Sequence, residues 1–260
     1  MRIFILFLCM FWNQPVIGSR ILLTNGEWPP ILSENLLEHG FGSAIVEAAF
    51  AEQGVLVYWE FLPWKRAYHK AEVGSLDGTV LWVKTQEREK SFLFTHSVIE
   101  DREFFYFKQG TQFRWKTFKD LKKFVIGLNS HAKYPALQAA LDAGELNYTA
   151  GGVYEKQLQK VLAGRVDITP LTEIVGEYLI RTSLTPKQRA VIQRDTRVLD
   201  TRQYHVMISK SALRAQYWVK TFNIGLARIR ANGKYQALLR ELETGKFDKK
   251  VNTELKGKKR

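Results

Sequence analysis

Apolar side chains recur with two different periods along this chain. Val55, Val57, Trp59 and Phe61 are separated by single residues, which is the spacing at which strand side chains share one face. Residues 43–53 place apolar side chains three and four positions apart, as in a helix that buries one face. The pattern predicts strands over 20–24, 55–61, 79–83, 104–107, 124–128, 147–149, 166–168 and 203–208. It predicts helices over 43–53, 63–73, 135–143, 154–163, 173–180, 211–231 and 235–243, and a short one from Thr117.

The order of these elements indicates the fold class. Strands and helices alternate up to Val83, which predicts an α/β protein with a parallel sheet and helices on its faces. The alternation is interrupted near Glu100–Arg102 and then begins again. Residues 72–79 and 162–169 also resemble each other, since both read helix end, Gly, polar, apolar, Asp, any residue, Thr. Two lobes of similar plan explain this echo, and a chance likeness of two common turns is the alternative.

The first residues form a short apolar segment. Arg2 precedes an apolar run over 3–12, Pro15 is among the residues that break it, and small residues near Ser19 suit cleavage. We predict a secretory signal peptide over 1–19, too short to span a bilayer, with a first strand or a membrane anchor as alternatives. Cys9 is the single cysteine and lies in this segment. A mature chain without it has no disulfide, no cysteine–metal site and no catalytic thiol.

The net charge narrows the choice of partners. The chain carries a formal charge of +13, and the segment 246–260 contributes strongly to it with seven Lys and Arg against two acids. We expect 246–260 to be a basic, disordered tail. The remaining charge is spread thinly, without a basic helix face or a nucleic-acid-binding motif, so we predict no nucleic-acid partner. A basic surface does favour anionic ligands.

Motifs of common catalytic sites are missing from the sequence. There is no Gly-x-Ser-x-Gly elbow, phosphate-binding loop or dinucleotide fingerprint, and the five histidines lack metal-ligand spacing. We therefore predict no metal, no cofactor and no enzymatic activity.

Aromatic and cationic residues stand where strands give way to loops. Arg88 follows the strand that ends at Val83, and the carboxyl end of a strand is where an open α/β sheet binds its ligand. Its guanidinium matches a carboxylate. Trp28 follows the first strand, and Trp64 opens the second helix. Each tryptophan fits either a packed core or the wall of a pocket.

These stretches together resemble a known family, the periplasmic solute-binding proteins of family 3, relatives of the polar amino-acid binders of ABC transporters. The similar stretches, in the family's order, are TNGEWPP (24–30), FLPWKRAY (61–68), GSLDGT (74–79), TQER (85–88), FLFTHS (92–97), IGLN (126–129), AGRVD (163–167) and IRANGKYQAL (229–238). The resemblance implies a type II fold with two lobes and two hinge crossings, near Glu100–Arg102 and Arg202–Tyr204. Lobe 1 is expected to hold 20–101 and 203–245, and lobe 2 to hold 102–202.

The resemblance also implies roles for individual residues. Arg88 matches the arginine that grips an α-carboxylate, Trp28 the stacking aromatic, and Trp64 a wall residue. Three positions depart from the family's usual residues, because Asn25 replaces an Asp, Thr172 replaces the Asp that takes an ammonium, and Trp82 lies in a loop that is usually small and hydroxyl-rich. From lobe 2 we expect three residues of one loop to contribute, His131, Lys133 and Tyr134.

The expected function is therefore that of an exported binding protein in the periplasm. As a monomer it would capture a small anionic or zwitterionic solute, an amino acid or an organic acid, and present it to an ABC permease or a membrane sensor. The loss of the Asp at Thr172 favours an anion, unless Glu173 substitutes for it. One alternative is a dehydratase-like enzyme on the same fold, with Glu173 or His131 as general acid. Another is a sensory module that acts through a partner kinase.

Overall fold

The computed structural model describes residues 19–130 and 132–250. Within them the strands are β1 (Ser19–Asn25), β2 (Val55–Phe61), β3 (Gly78–Val83), β4 (Phe92–Lys108), β5 (Val125–Leu128), β6 (Asn147–Ala150), β7 (Ile168–Thr172), β8 (Ile192–Arg194) and β9 (Asp200–Ser209). The α-helices are α1 (Phe41–Ala51), α2 (Trp64–Glu72), α3 (Gln86–Ser91), α4 (Pro135–Asp142), α5 (Tyr154–Leu162), α6 (Glu173–Ser183), α7 (Pro186–Arg189), α8 (Ala215–Ala231) and α9 (Lys234–Glu243). Short 3-10 turns cover Leu37–His39, Phe118–Lys123 and Lys246–Asp248.

All the described strands belong to one mixed sheet whose two halves repeat the same plan. The order is β2-β1-β3-β9-β4-β7-β5-β6, with β8 paired to β4. Three strands at each end are parallel, and the strands β9 and β4 in the middle run antiparallel to their neighbours. We call the half that contains β1–β3 lobe 1 and the half that contains β5–β7 lobe 2. The α/β fold with two lobes and two crossings is confirmed.

The sequence echo marks equivalent turns in the two lobes. Asp77 precedes β3 and accepts a hydrogen bond from the N–H of Leu22 in β1 at 2.8 Å. Asp167 precedes β7 and accepts one from the N–H of Val125 in β5 at 2.7 Å. In both turns the Asp N–H also donates to the carbonyl of the same partner residue. The carboxylate therefore locks the third strand of each lobe against the first, which explains why Asp recurs.

The two crossings lie side by side in an antiparallel ladder. β4 runs unbroken through Glu100–Arg102 and pairs with β9, placing Asp101 opposite Arg202 and Glu103 opposite Asp200. The predicted strand over 104–107 is therefore part of a longer strand that begins at Phe92, and the crossing predicted near Glu100–Arg102 lies within it. The exact division into 20–101 with 203–245 and 102–202 stays a prediction.

Other element boundaries differ from the predicted ones. α1 begins at Phe41, two residues before the predicted start, and Ser43 is a buried residue within the helix. β7 is shifted to Ile168–Thr172 and includes Pro170. β7 pairs with β5 at Ile168, whereas it pairs with β4 along its full length. A strand paired mainly on one side can contain a proline, because the missing N–H is not needed on the other side. The elements α3, α7 and β8 were not predicted.

The start of the predicted disordered tail is folded. Phe247 is fully buried against Phe41, with ring centroids 5.8 Å apart. Asp248 forms a two-point ion pair with Arg181 of α6, at 2.9 and 3.1 Å. The apolar contact and the ion pair hold this segment on the fold. Residues 251–260 lie outside the described residues, as do residues 1–18, with Cys9, of the signal peptide predicted over 1–19. Ser19, its predicted last residue, is the first residue of β1.

Charged side chains are buried in the ladder between the lobes. Arg202 donates to Glu103 and to Asp200, each at 2.9 Å. Asp101 accepts from the N–H of Ile174 at 3.4 Å. Asp101 and Glu103 are each 2% exposed. Burial raises the pKa of Glu103 to about 7 and that of Asp101 to about 6.

None of the helices in the described part of the chain combines the length and the apolar character needed to span a membrane.

The first prediction concerns the contact between α1 and α8. A Cβ on Gly225 would overlap the carbonyl oxygen of Ala49. Gly→Ala in an exposed helix stabilises by about 1 kcal/mol, but this overlap forces the helices apart. We expect Gly225→Ala to lower the free energy of unfolding by about 1–3 kcal/mol in urea denaturation. The control Lys220→Ala, on the exposed side of α8, should change it by less than about 0.5 kcal/mol. Unchanged stability in Gly225→Ala would contradict the packing.

The second prediction concerns the buried carboxyls Asp101 and Glu103. Folding raises both pKa values, so the folded chain binds more protons than the unfolded chain between about pH 4 and about pH 7. This contribution is fully present below the unfolded pKa values and is lost as pH rises through the folded ones. The Tm measured by calorimetry should therefore rise by several degrees from about pH 8 to about pH 5.5.

The double variant Asp101→Asn/Glu103→Gln provides the control for this effect, since it removes both titrating groups and keeps their shape. Its Tm should change less over the same pH range. Parallel curves for the two proteins would show that other groups cause the pH dependence.

Candidate functional site

A cavity of about 670 Å³ lies between the two lobes, at the loops that follow their parallel strands. From lobe 1 it is lined by Trp28, Trp64, Leu81, Trp82, Val83 and Arg88, among others. From lobe 2 it is lined by Asn129, Lys133, Tyr154, Glu155, Tyr178 and Ser183, among others. Tyr204 contributes from β9, between the lobes. A solute in this cavity would touch both lobes and the ladder that joins them.

Two tryptophans form one corner of the cavity. The rings of Trp64 and Trp82 meet nearly at right angles, with centroids 5.2 Å apart. The indole N–H of Trp82 donates to the Thr79 hydroxyl at 2.9 Å, and that of Trp64 donates to the carbonyl of Glu27 at 3.3 Å. Gly26 makes room for Trp64, since a Cβ there would lie 2.5 Å from the indole ring. The orientation of Trp64 therefore depends on the glycine before Glu27.

A strained residue turns the end of β3 toward the cavity. Leu81 has φ of 60°, in the left-handed region that side chains rarely adopt, and the ladder with β9 shifts register between Thr79 and Trp82. In a regular strand, successive side chains point to opposite faces. The bulge instead lets Leu81, Trp82 and Val83 all line the cavity. Backbone strain of this kind is found at ligand sites.

Arg88 is held in place by its own surroundings. Its backbone N–H donates to the Thr85 hydroxyl, which caps α3, and its guanidinium donates to the carbonyl of Val83 at 2.6 Å. The guanidinium carbon lies 4.6 Å from the centroid of the Trp82 ring. Burial lowers the pKa of Arg88, though an arginine remains charged. No carboxylate of the described residues forms an ion pair with it. A positive charge is thus fixed on the cavity wall.

Trp28 forms a second aromatic pair, with Tyr204. Its ring is 4.9 Å from that of Tyr204 at an angle of 57°. The tight loop that carries it is closed by hydrogen bonds in both directions between Trp28 and Leu32. Because Tyr204 belongs to β9, Trp28 connects the first loop of lobe 1 to the crossing.

Five of the nine predicted site residues line this cavity: Trp28, Trp64, Trp82, Arg88 and Lys133. Whether they bind a ligand stays a prediction. His131 lies outside the described residues. The structure does not place the remaining three, Asn25, Tyr134 and Thr172, on the cavity wall.

These three side chains are buried behind the wall. Asn25 is fully buried at the end of β1. The Tyr134 hydroxyl accepts the N–H of Asn129 at 2.9 Å, so Tyr134 supports the loop instead of facing the cavity. Thr172 is 5% exposed, and its hydroxyl lies beside the carboxyl of Asp101 without a hydrogen bond that joins them. Sequence position alone could not show that the ladder occupies the space beside Thr172.

Glu173, the expected substitute for the missing aspartate, is already engaged by two arginines. Its carboxylate is bound by Arg102, at 2.7 Å, and by Arg194. These two cations lower the pKa of Glu173, although its partial burial acts in the opposite direction. A carboxylate held in this way is a poor general acid near neutral pH. These contacts therefore disfavour Glu173 in both roles expected of it, and it does not line the cavity.

The residues missed from the sequence lie mainly on lobe 2. Val175, Tyr178 and Leu179 line the cavity from one face of α6, and Ser183 extends this face by one turn. Their three- and four-residue spacing is a visible signal. The helix predicted over 173–180 carried no predicted site residue. The spacing is the same whether a helix faces a core or a cavity.

The comparisons with known proteins agree with this architecture. The profile of the bacterial extracellular solute-binding proteins, family 3, matches residues 21–242. No curated protein sequence matches the chain.

Among the described residues, no group of three or more His, Cys, Asp or Glu side chains could hold a metal ion.

Several solved structures share the fold. A histidine kinase sensor domain similar to periplasmic binding proteins has a TM-score of 0.68 at 16% identity, covering 86% of this chain and 96% of its own. An arginine third transport system periplasmic binding protein from Legionella pneumophila has 0.65 at 15%, covering 86% and 99%. An ancestral amino-acid-binding protein, a precursor of cyclohexadienyl dehydratase, has 0.63 at 19%, covering 86% and 95%. At these identities the likeness shows the fold alone.

The third prediction tests the fit between Gly26 and Trp64. Gly26→Ala should push the Trp64 ring out of its position, because the new methyl group would lie 2.5 Å from it. The measurement is tryptophan fluorescence of the folded protein, whose emission should change. In the control background Trp64→Leu, which removes the indole, adding Gly26→Ala should have little effect on the spectrum or on stability. Equal effects in both backgrounds would contradict the arrangement.

Proposed function

The chain belongs to the bacterial extracellular solute-binding proteins of family 3, and from that premise we propose that it captures a small carboxylate-bearing solute between its lobes. The observation that carries the proposal is the guanidinium of Arg88, which lines the cavity and pairs with no carboxylate of the described residues. A bound carboxylate would supply the missing negative charge. Charge-assisted hydrogen bonds of this kind contribute about 1.5–3 kcal/mol each.

The surroundings of Arg88 support an anion over a neutral ligand. Its donation to the Val83 carbonyl and its contact with the Trp82 ring orient the side chain before any ligand arrives. Preorganisation lowers the entropy lost on binding. Lys133 adds a second positive charge from lobe 2. An anion can therefore be attracted from both lobes.

The two lobes would close around a bound solute, because residues of both lobes line the cavity. A solute that contacts Trp28 and Arg88 of lobe 1 and Lys133 and Tyr178 of lobe 2 stabilises the arrangement in which these residues are close. The ladder of β4 and β9 provides two adjacent strands about which the lobes can rotate. The ligand-bound form thus differs in shape from the open form, and a partner can recognise the difference.

We propose that this partner is an ABC permease or a membrane sensor and that the protein acts after export to the periplasm. The apolar segment over 3–12 supports export, and relatives of both kinds share the fold. The fold is also shared by a dehydratase precursor. The cavity gives that alternative little support, since Glu173 is engaged by two arginines away from the wall.

The fourth prediction tests the role of Arg88. A thermal-shift screen of the amino acids and of simple organic acids should identify a carboxylate that raises the Tm. In Arg88→Ala the shift should disappear, with the affinity reduced by about thirtyfold or more, because the carboxylate loses its partner. Arg88→Lys should restore part of it.

Arg66→Ala is the matched control, since Arg66 is an exposed arginine on α2 that does not line the cavity. It should leave the ligand-induced shift unchanged. An Arg88→Ala protein that is folded and still fully stabilised by the ligand would remove Arg88 from the site.

A further inference from the structure

The wall of the cavity is mainly apolar, which is unexpected for a site that holds a small polar solute. Six aromatic rings face it, from Trp28, Trp64, Trp82, Tyr154, Tyr178 and Tyr204. Such rings gain most from burying flat apolar surface, in stacked or edge-on contacts. A charged side chain of a ligand would find few partners among them.

We propose that the solute is an aromatic carboxylate, with a planar apolar ring and a carboxylate but without an α-ammonium group. The inference rests on the proposed function and narrows it, because it specifies what the rest of the ligand is once Arg88 has taken its carboxylate. Three observations carry it: the size of the cavity, the aromatic lining, and the charges around Arg88.

The cavity is large for a small polar solute. Its volume is about 670 Å³. Pockets between about 300 and 1,000 Å³ enclose ligands of drug-like size and are lined mostly by apolar groups. A ligand that carries an aromatic ring beside its carboxylate therefore fits in this space.

The aromatic groups lie where a ring attached to the carboxylate would reach. Trp82 contacts the Arg88 guanidinium and meets Trp64 nearly at right angles, so the corner begins at the carboxylate site itself. Trp28 and Tyr204 form a second pair on the same cavity. A ring can therefore pack against indole surface directly beside the ion pair.

An α-ammonium has no acidic partner beside Arg88. In an α-amino acid the ammonium is attached to the carbon next to the carboxylate, so its partner must lie near the partner of the carboxylate. The Thr172 hydroxyl faces Asp101, and Glu173 is bound by two arginines. No carboxylate of the described residues lies within ion-pairing distance of Arg88. An ammonium held there would lose its hydration without gaining a counter-charge.

Two carboxylates do line the cavity, and both are exposed. Glu27 accepts the N–H of Glu34 at 2.9 Å, and Glu155 lies in the first turn of α5. Neither of these exposed side chains forms an ion pair with Arg88.

The experiment compares four ligands that differ by one group at a time. These are 3-phenylpropionate, propionate without the ring, L-phenylalanine with the added ammonium, and 3-phenylpropionamide without the charge. Each is titrated by calorimetry into mature protein that has been unfolded and refolded to remove co-purified solute. We expect 3-phenylpropionate to bind at least about tenfold more tightly than each of the other three.

Variants identify where the ring binds. Trp28→Leu and Trp64→Leu should each reduce the advantage of 3-phenylpropionate over propionate by several-fold. Trp115→Leu is the matched control, because Trp115 packs against Phe118 in lobe 2, away from the cavity, and it should leave the advantage unchanged. Two tryptophan variants are used so that a folding defect in one does not decide the result.

The outcomes separate this inference from the proposed function. Binding of L-phenylalanine as tight as that of 3-phenylpropionate overturns the inference. So does Arg88-dependent binding of L-glutamate or another polar amino acid when 3-phenylpropionate does not bind. In both cases the proposed function stands. If neither these ligands nor any amino or organic acid of the wider screen binds the wild-type protein, both the inference and the proposed function fail.

Discussion

The antiparallel ladder between β4 and β9 is the constraint on which the rest of this structure depends. Each strand passes from one lobe to the other, and their backbones remain hydrogen-bonded where they do so. The lobes can therefore change their relative orientation by bending two paired strands, without breaking either lobe's own sheet. The Asp77 and Asp167 turns make each lobe rigid on its side of the ladder.

The ladder also links the cavity to a buried set of charges. Tyr204 extends from β9 to support Trp28, and Asp101, Glu103 and Arg202 lie in the same two strands. Burial disfavours the charged forms of the two acids, while Arg202 favours that of Glu103. The same two strands therefore carry the protonation sites Asp101 and Glu103, the crossing between the lobes, and the tyrosine that contacts Trp28 at the cavity.

Much of the site could be predicted from the sequence because the signals were local. Arg88 follows a strand end, and Trp28 and Trp64 stand at loop ends, where α/β proteins bind ligands. The contribution of α6 could not be predicted, since Tyr178 and Leu179 have the same spacing in a helix that faces a core. The predicted strand covered 104–107, yet β4 continues through Glu100–Arg102, and Asp101 is buried there with a hydrogen bond from the Ile174 N–H, which is distant in sequence.

Local patterning was enough to indicate an α/β fold with a repeated plan and to single out Arg88 at a strand end, because each depends on neighbours within a few residues. The two crossings followed from the resemblance to the family. The arrangement in space decided which groups share the cavity. It turned Thr172 toward Asp101, engaged Glu173 with two arginines from distant strands, and buried Phe247 where the composition indicated a tail. These contacts join residues far apart in the chain, and no local periodicity records them.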